Sequence, residues 1–85
     1  MQTFTYTITD PEGLHARPAA ILVKKNSKYN SDITIKCGSK SGNAKKIFGI
    51  MGLGVKKGQE VTLEISGEDE ETACAELKQF FEENV

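Results

Sequence analysis

The chain has 85 residues, enough for one domain but too few for a deep, enclosed active site, because a domain of this length buries only roughly 60–65% of its unfolded surface. We therefore expect chemistry at the surface, on a group that a partner protein presents or accepts. The two cysteines, Cys37 and Cys74, form no ligand-spaced cluster with the single histidine, which argues against a metal site and favours free thiols in a reducing cytoplasm. No apolar run has the length of a membrane span, and the first residues lack the pattern of a signal peptide.

Charges of opposite sign are concentrated in different parts of the chain, although the formal net charge is only −1. Residues 13–59 contain ten lysines or arginines and one acid, Asp32, which gives a local net charge of +9. Residues 60–85 contain nine acids and one base, Lys78, which gives a local net charge of −8. The histidine lies in the basic part, which suits anionic substrates or acidic partner surfaces through long-range electrostatic steering.

The first part of the chain predicts a strand followed by a helix. Apolar side chains alternate with threonines over residues 4–8, which is typical of a strand with one buried face. Residues 10–13 have the composition of a turn. Pro18 has no amide hydrogen and a fixed φ, so it suits a first helical turn, and we predict a helix from about Ala16 to Lys28.

The rest of the chain predicts three further strands and two further helices. The strand patterns occur at residues 33–37, 40–44 and 61–65. The glycine-rich segment 46–53 has room for one or two helical turns, and Asp69 is placed to cap a final helix. The order β-α-β-β-α-β-α, with one apolar face on each clear strand, predicts an α+β fold, an open-faced sandwich with helices on one side of an antiparallel sheet.

His15 is the candidate reactive residue. The predicted helix puts it at or just before a helix N-terminus, where unpaired amides and the helix dipole favour an anion. An imidazole is a nucleophile, and Arg17 can pair with phosphate oxygens through its planar guanidinium. A lone histidine is more often a surface or structural residue, but this combination suits a transient phosphohistidine.

Segment 46–53 contains more apolar side chains than a short helix can bury. We assign Ile50 and Leu53 to the core. Ile47, Phe48 and Met51 are then left facing outward, as an exposed apolar patch of the kind that binds partner proteins.

Two segments of the chain resemble those of a known family. Residues 13–19, GLHARPA, are similar to the active-site signature of HPr, the histidine phosphocarriers of the bacterial sugar phosphotransferase system. Residues 44–54, AKKIFGIMGLG, resemble the second characteristic segment of that family. The length and element order match as well, so the resemblance covers essentially the whole chain. It implies a single domain over residues 1–85 with a four-stranded sheet of order 1-4-2-3.

The resemblance also implies a phosphoryl-group carrier that is not an enzyme and uses no cofactor or metal. His15 would accept a phosphoryl group on Nδ1 from phosphorylated enzyme I, which phosphoenolpyruvate charges, and pass it to a histidine of an enzyme IIA domain for sugar uptake. Arg17 and the amides of Ala16 and Arg17 would hold the phosphoryl oxygens. The docking surface for both partners would contain Ala20, Ile47, Phe48 and Met51. The implied protein is a cytoplasmic monomer that binds no nucleic acid and does not insert into a membrane.

Lys46 departs from the family pattern. Relatives from low-GC Gram-positive bacteria usually have a serine there, which an ATP-dependent kinase phosphorylates to reduce transfer and signal carbon catabolite control. Lysine offers no hydroxyl, so we expect this regulation to be absent. Ser39 and Ser41 lie nearby, but nothing in their spacing makes either a replacement.

Two other classes of function are consistent with parts of the sequence. A nucleic-acid-binding domain would use the basic part on phosphates and the sheet on bases, but the predicted exposed face consists of threonines and charged residues without an aromatic platform. A regulator that docks partners without chemistry would have no need of His15 beside Arg17.

Overall fold

The chain folds into four strands and three helices, and the computed structural model describes all residues from Met1 to Val85. The strands are β1 (Gln2–Thr7), β2 (Asp32–Cys37), β3 (Lys40–Asn43) and β4 (Glu60–Ser66). The helices are α1 (Ala16–Asn26), α2 (Ile47–Met51) and α3 (Glu70–Asn84). All neighbouring strands are antiparallel in the order β1-β4-β2-β3, which confirms the predicted open-faced sandwich and its sheet order.

The core lies between the helices and the apolar face of the sheet. Leu63 on the central strand β4 is opposite Phe4 on β1 and Ile35 on β2, and all three side chains are buried. Phe81 of α3 packs on β1, with its ring centroid 5.9 Å from that of Phe4. The period-two alternation of the sequence therefore points one set of side chains into this core.

The opposite face of the sheet is polar. Thr3, Thr5 and Thr7 of β1 are exposed, and Lys36 of β2 forms an ion pair with Glu64 of β4 at 3.0 Å. No aromatic side chain lies on this face, so it offers no stacking platform of the kind that nucleic-acid-binding sheets use.

Helix α1 ends at Asn26, two residues earlier than the sequence predicts. The chain tightens there into i→i+3 hydrogen bonds, in which the Lys28 amide donates to the Lys25 oxygen and the Tyr29 amide to the Asn26 oxygen. The buried Asn26 side chain donates from Nδ2 to the backbone oxygen of Ala44 at 2.8 Å, which ties α1 to the segment before α2.

Asp69 precedes α3 as predicted but does not cap it through its side chain. The carboxylate instead accepts the amides of Asn30 at 2.8 Å and Ser31 at 3.0 Å, together with the Ser31 hydroxyl. These hydrogen bonds, the Ser31 hydroxyl first, lower the pKa of Asp69 below its ordinary value of 3.8. Asp69 thus fixes the α1–β2 loop against the start of α3, and the prediction of a helix-capping side chain is wrong.

Candidate functional site

His15 occupies the N-cap position of α1, with extended backbone angles and no side-chain hydrogen bond to the helix. Its backbone oxygen accepts the amide of Ala19 at 3.0 Å, and Pro18 has no amide hydrogen. The amides of Ala16 and Arg17 are therefore the donors of the first turn that have no partner within the helix. They lie beside the histidine and are available to an anion.

The loop that carries His15 is fixed on both sides by backbone hydrogen bonds. The amides of Thr9 and Asp10 donate to the backbone oxygen of Val85 at 2.7 and 3.0 Å. The amide of Leu14 donates to the backbone oxygen of Val55 at 3.1 Å, and the Leu14 side chain is buried. The histidine thus lies at the surface on a loop that is anchored to the core.

A surface depression of about 300 Å³ contains His15 and Arg17 together with Asp10, Glu12 and Ile21. Arg17 is exposed and forms no ion pair or side-chain hydrogen bond, so its guanidinium is free to bind an external anion. The structure therefore brings together the nucleophile, the guanidinium and the two amides that the sequence places near one another.

Two carboxylates next to the histidine were missed by the sequence analysis. Nε2 of His15 lies 3.6 Å from Oδ2 of Asp10 and 3.5 Å from Oε2 of Glu12. The turn over residues 10–13 folds the acids back toward the ring, and the composition of that turn was the signal that could have revealed them. The three donor groups lie within 4.8 Å of one another, a spacing that a divalent cation could bridge. The prediction against a metal site rested on the cysteines and did not include these residues.

The apolar residues of α2 and of the turn after it divide between core and surface. Ile50 and Leu53 are buried as predicted, whereas Phe48 is 86% exposed and Met51 is also exposed. Ile47 packs against the core and is only partly exposed, so it does not face fully outward as the sequence predicts. The five-residue helix α2 packs against both α1 and β3, which leaves it fewer outward positions than the sequence pattern suggests.

Helix α1 contributes further exposed apolar surface. Ala20 is exposed, as a residue of the implied docking surface should be. Ile21 is 48% exposed and lines the depression that contains His15. Ile21 was not predicted, because helical spacing alone does not separate a core position from a neighbouring surface position.

Lys46 lies at the N-cap position of α2 and is exposed. Its side chain makes no capping hydrogen bond, whereas its amide donates to the backbone oxygen of Asn43 at 3.1 Å. The neighbouring Lys45 turns the other way, and its Nζ donates to the backbone oxygen of Tyr29 at 2.8 Å. Lys46 therefore places a free positive charge directly before Ile47 and Phe48.

None of the three helices combines the length and apolarity that crossing a bilayer would require.

Comparison with known proteins gives matches over nearly the whole chain. The family described as "PTS HPr component phosphorylation site" matches residues 2–83. The Phosphocarrier protein HPr of Mycoplasma capricolum subsp. capricolum is 44% identical over 79 residues, which cover 93% of this chain and 89% of the relative. Among solved structures, HPr-C-His from Thermoanaerobacter tengcongensis has 45% identity and a TM-score of 0.91, with 96% of this chain and 92% of that chain covered. An HPr dimer from the same organism has 44% identity and a TM-score of 0.77, with coverage of 98% and 95%.

Proposed function

The chain belongs to the HPr family of phosphocarrier proteins of the phosphotransferase system, and we propose that His15 is the residue on which it carries the phosphoryl group. The observation that supports this proposal is the position of His15 at the N-cap of α1, beside two amides without helical partners and a guanidinium without an ion pair. His15 is also the only histidine in the sequence.

The proposed reaction takes a phosphoryl group from phosphorylated enzyme I and passes it to a histidine of an enzyme IIA domain. The lone pair of Nδ1 attacks phosphorus, a phosphorus–nitrogen bond forms at His15, and the bond between phosphorus and enzyme I breaks with its electron pair returning to enzyme I. The second transfer breaks the bond at His15 and forms one on enzyme IIA. The carrier is unchanged after both steps, so it needs no cofactor of its own.

The groups around His15 stabilise the negative charge of the transferred group. Arg17 pairs with phosphoryl oxygens through its planar fork, and the amides of Ala16 and Arg17 donate to them. The dipole of the eleven-residue helix α1 acts in the same direction. All of these groups lie at the surface, where the active site of a partner can meet the phosphoryl group.

The exposed apolar residues form the docking surface for enzyme I and enzyme IIA in this proposal. Phe48 and Met51 of α2 provide the anchors, with Ala20 and the exposed part of Ile47 beside them. Ile21 extends this surface to the edge of the His15 depression. Aromatic and methionine side chains suit a surface that must bind two different partners in turn.

We further propose that the serine-directed regulation of some relatives is absent, because Lys46 has no hydroxyl. The proposed setting is the cytoplasm, where the protein acts as a monomer in sugar uptake and binds neither nucleic acid nor membrane. The free thiols of Cys37 and Cys74 support a cytoplasmic setting. The polar sheet face, which has no aromatic residues, supports the absence of nucleic-acid binding.

The test is incubation with enzyme I and phosphoenolpyruvate, followed by measurement of the intact mass. We expect a gain of one phosphoryl group that is lost in acid, and no gain for His15→Ala. Arg17→Ala should slow the labelling, whereas Lys78→Ala, which removes the same charge on the remote helix α3, should not. Labelling of His15→Ala by enzyme I would show that the phosphoryl acceptor is another residue.

A further inference from the structure

Both carboxylates beside His15 face the same nitrogen of the ring. Nε2 of the ring lies 3.6 Å from Oδ2 of Asp10 and 3.5 Å from Oε2 of Glu12. A neutral imidazole carries its proton on one nitrogen and its reactive lone pair on the other. Negative charge beside Nε2 favours the tautomer with the proton there, because a lone pair in that place would face two anions.

The backbone of the loop holds Asp10 in this orientation. Its Oδ1 accepts the Glu12 amide at 2.8 Å, and its backbone oxygen accepts the Gly13 amide at 2.9 Å. The Asp10 amide donates to the backbone oxygen of Val85 at 3.0 Å. With Oδ1 occupied by the turn, Oδ2 is directed toward His15.

The two acids differ in how strongly they act on the ring. The side chain of Asp10 is 25% exposed and fixed by the turn, whereas that of Glu12 is 74% exposed and has no hydrogen bond. Solvent screens an exposed charge, and a mobile side chain loses entropy when it is held in one place. Asp10 is therefore the main source of the electrostatic field at Nε2, and Glu12 adds a smaller share.

We propose that Asp10, assisted by Glu12, is a positioning residue that keeps the ring proton on Nε2 and leaves the lone pair of Nδ1 free for the phosphoryl group. The same two charges repel a phosphoryl anion from Nε2. This inference rests on the proposed function of His15 and adds that the choice between the two nitrogens is built into the loop of this chain, before any partner binds.

The test measures the tautomers of the isolated protein labelled with ¹⁵N in the imidazole, at about pH 8.5, above the ordinary imidazole pKa of about 6.5. Two-bond ¹H–¹⁵N spectra distinguish the two tautomers. We expect the ratio of the Nε2–H to the Nδ1–H form to fall about threefold in Asp10→Asn/Glu12→Gln, because two partly screened carboxylate charges beside Nε2 are lost. A chelator keeps cations out of the cluster.

The matched control is Asp32→Asn/Glu68→Gln, which removes two exposed acids at the far end of the sheet and should leave the ratio unchanged. Asp10→Asn keeps an oxygen for the Glu12 amide, so the turn is retained. Glu12→Gln alone, at an exposed position, should lower the ratio by a smaller factor. An unchanged ratio in both the double variant and Glu12→Gln would overturn the proposal.

A second measurement uses phosphoramidate, a small donor of phosphoryl groups, in place of enzyme I. The isomer of phosphohistidine that forms then depends on the protein alone. We expect Nδ1 to be the predominant site in the parent and the share of Nε2 product to rise in Asp10→Asn/Glu12→Gln. An equal share of the Nε2 product in parent and variant would overturn the proposal. The labelling of His15 by enzyme I would still stand, because that experiment tests the proposed function separately.

Discussion

Gly13 packs directly against the backbone of Val55. Its φ of +72° lies in the left-handed region, and a Cβ placed on it would come within 2.3 Å of the Val55 oxygen. The same oxygen accepts the amide of Leu14 at 3.1 Å. One backbone group therefore fixes the loop immediately before His15, and only a residue without a side chain fits beside it.

Gly13→Ala should lower the free energy of unfolding by about 1–3 kcal/mol through backbone strain, with a further loss from the clash. Because the loop must move away from Val55, the phosphorylation of His15 by enzyme I should also slow. Urea unfolding and the rate of labelling measure the two effects. Gly54→Ala is the matched control, since its φ is +60° and a Cβ there meets nothing within 4 Å. Gly54→Ala should show only the loss of stability that comes from backbone strain. Equal losses of unfolding free energy in the two variants would mean that the contact of Gly13 with Val55 is unimportant.

Phe48→Ala should weaken binding to enzyme I and to enzyme IIA by about 1–3 kcal/mol, because an exposed aromatic anchor is lost. Its stability should change little, since the side chain is 86% exposed. NMR titration with each partner measures the affinity. Ile50→Val on the same helix is the control: Ile50 is buried, so this variant should lose stability and keep its affinity. Unchanged affinity of Phe48→Ala for both partners would remove Phe48 from the docking surface.

The fold was predictable because its main elements depend on local patterns. The alternation over residues 61–65 appears in the structure as the buried face of the central strand β4. Pro18 similarly places the start of α1, and with it the N-cap position of His15. In both cases the information lies within a few residues of the element that it determines.

The features that sequence analysis missed depend on contacts between segments. Asp69 has the composition of a helix cap, but the fold brings the amides of Asn30 and Ser31 to its carboxylate, and these donors lie 38 or more positions away in sequence. The partial burial of Ile47 requires knowing how α2 sits on the core. Asp10 and Glu12 reach His15 only because the turn between them folds back.

The Asp69 carboxylate should make stability depend on pH in the acid range. The pKa of Asp69 is lowered in the folded protein, so the carboxylate binds a proton less readily there than in the unfolded chain. Its contribution to the free energy of unfolding is therefore fully present above the ordinary pKa of 3.8 and is lost as the pH falls through the lower pKa of the folded state. We expect Asp69→Asn to lower the urea midpoint at pH 7 and to approach the parent below pH 3.8. Asp32→Asn, at an exposed carboxylate without an ion pair, should track the parent throughout. A constant difference between Asp69→Asn and the parent across this range would contradict the assignment.

Lys46→Ser tests whether one residue separates this chain from its regulated relatives. A serine hydroxyl at the N-cap of α2 can accept a helical amide, which Lys46 does not, so stability should rise by about 0.5–1 kcal/mol. With the ATP-dependent kinase of low-GC Gram-positive relatives, the parent should take up no phosphoryl group from ATP and Lys46→Ser should take up one. Intact-mass measurement gives the result, and Lys45→Ser is the control for an added hydroxyl one residue away. ATP-dependent phosphorylation of the parent on Ser39 or Ser41 that slows transfer would show that regulation has moved to another serine.

Lys46→Glu isolates the effect of charge at the same position. A phosphorylated serine would add about −1.5 to −2 charges beside Phe48, whereas Lys46 supplies a positive charge that attracts an acidic partner surface. Lys46→Glu should therefore slow association with enzyme I at low salt, and the difference from the parent should shrink as salt screens the charges. Stopped-flow association rates at two ionic strengths measure this. Lys78→Glu makes the same change of charge on the remote helix α3 and should have a much smaller effect. If Lys46→Glu associates as fast as the parent at low salt, the charge at this position does not govern docking, and the lysine matters only through its missing hydroxyl.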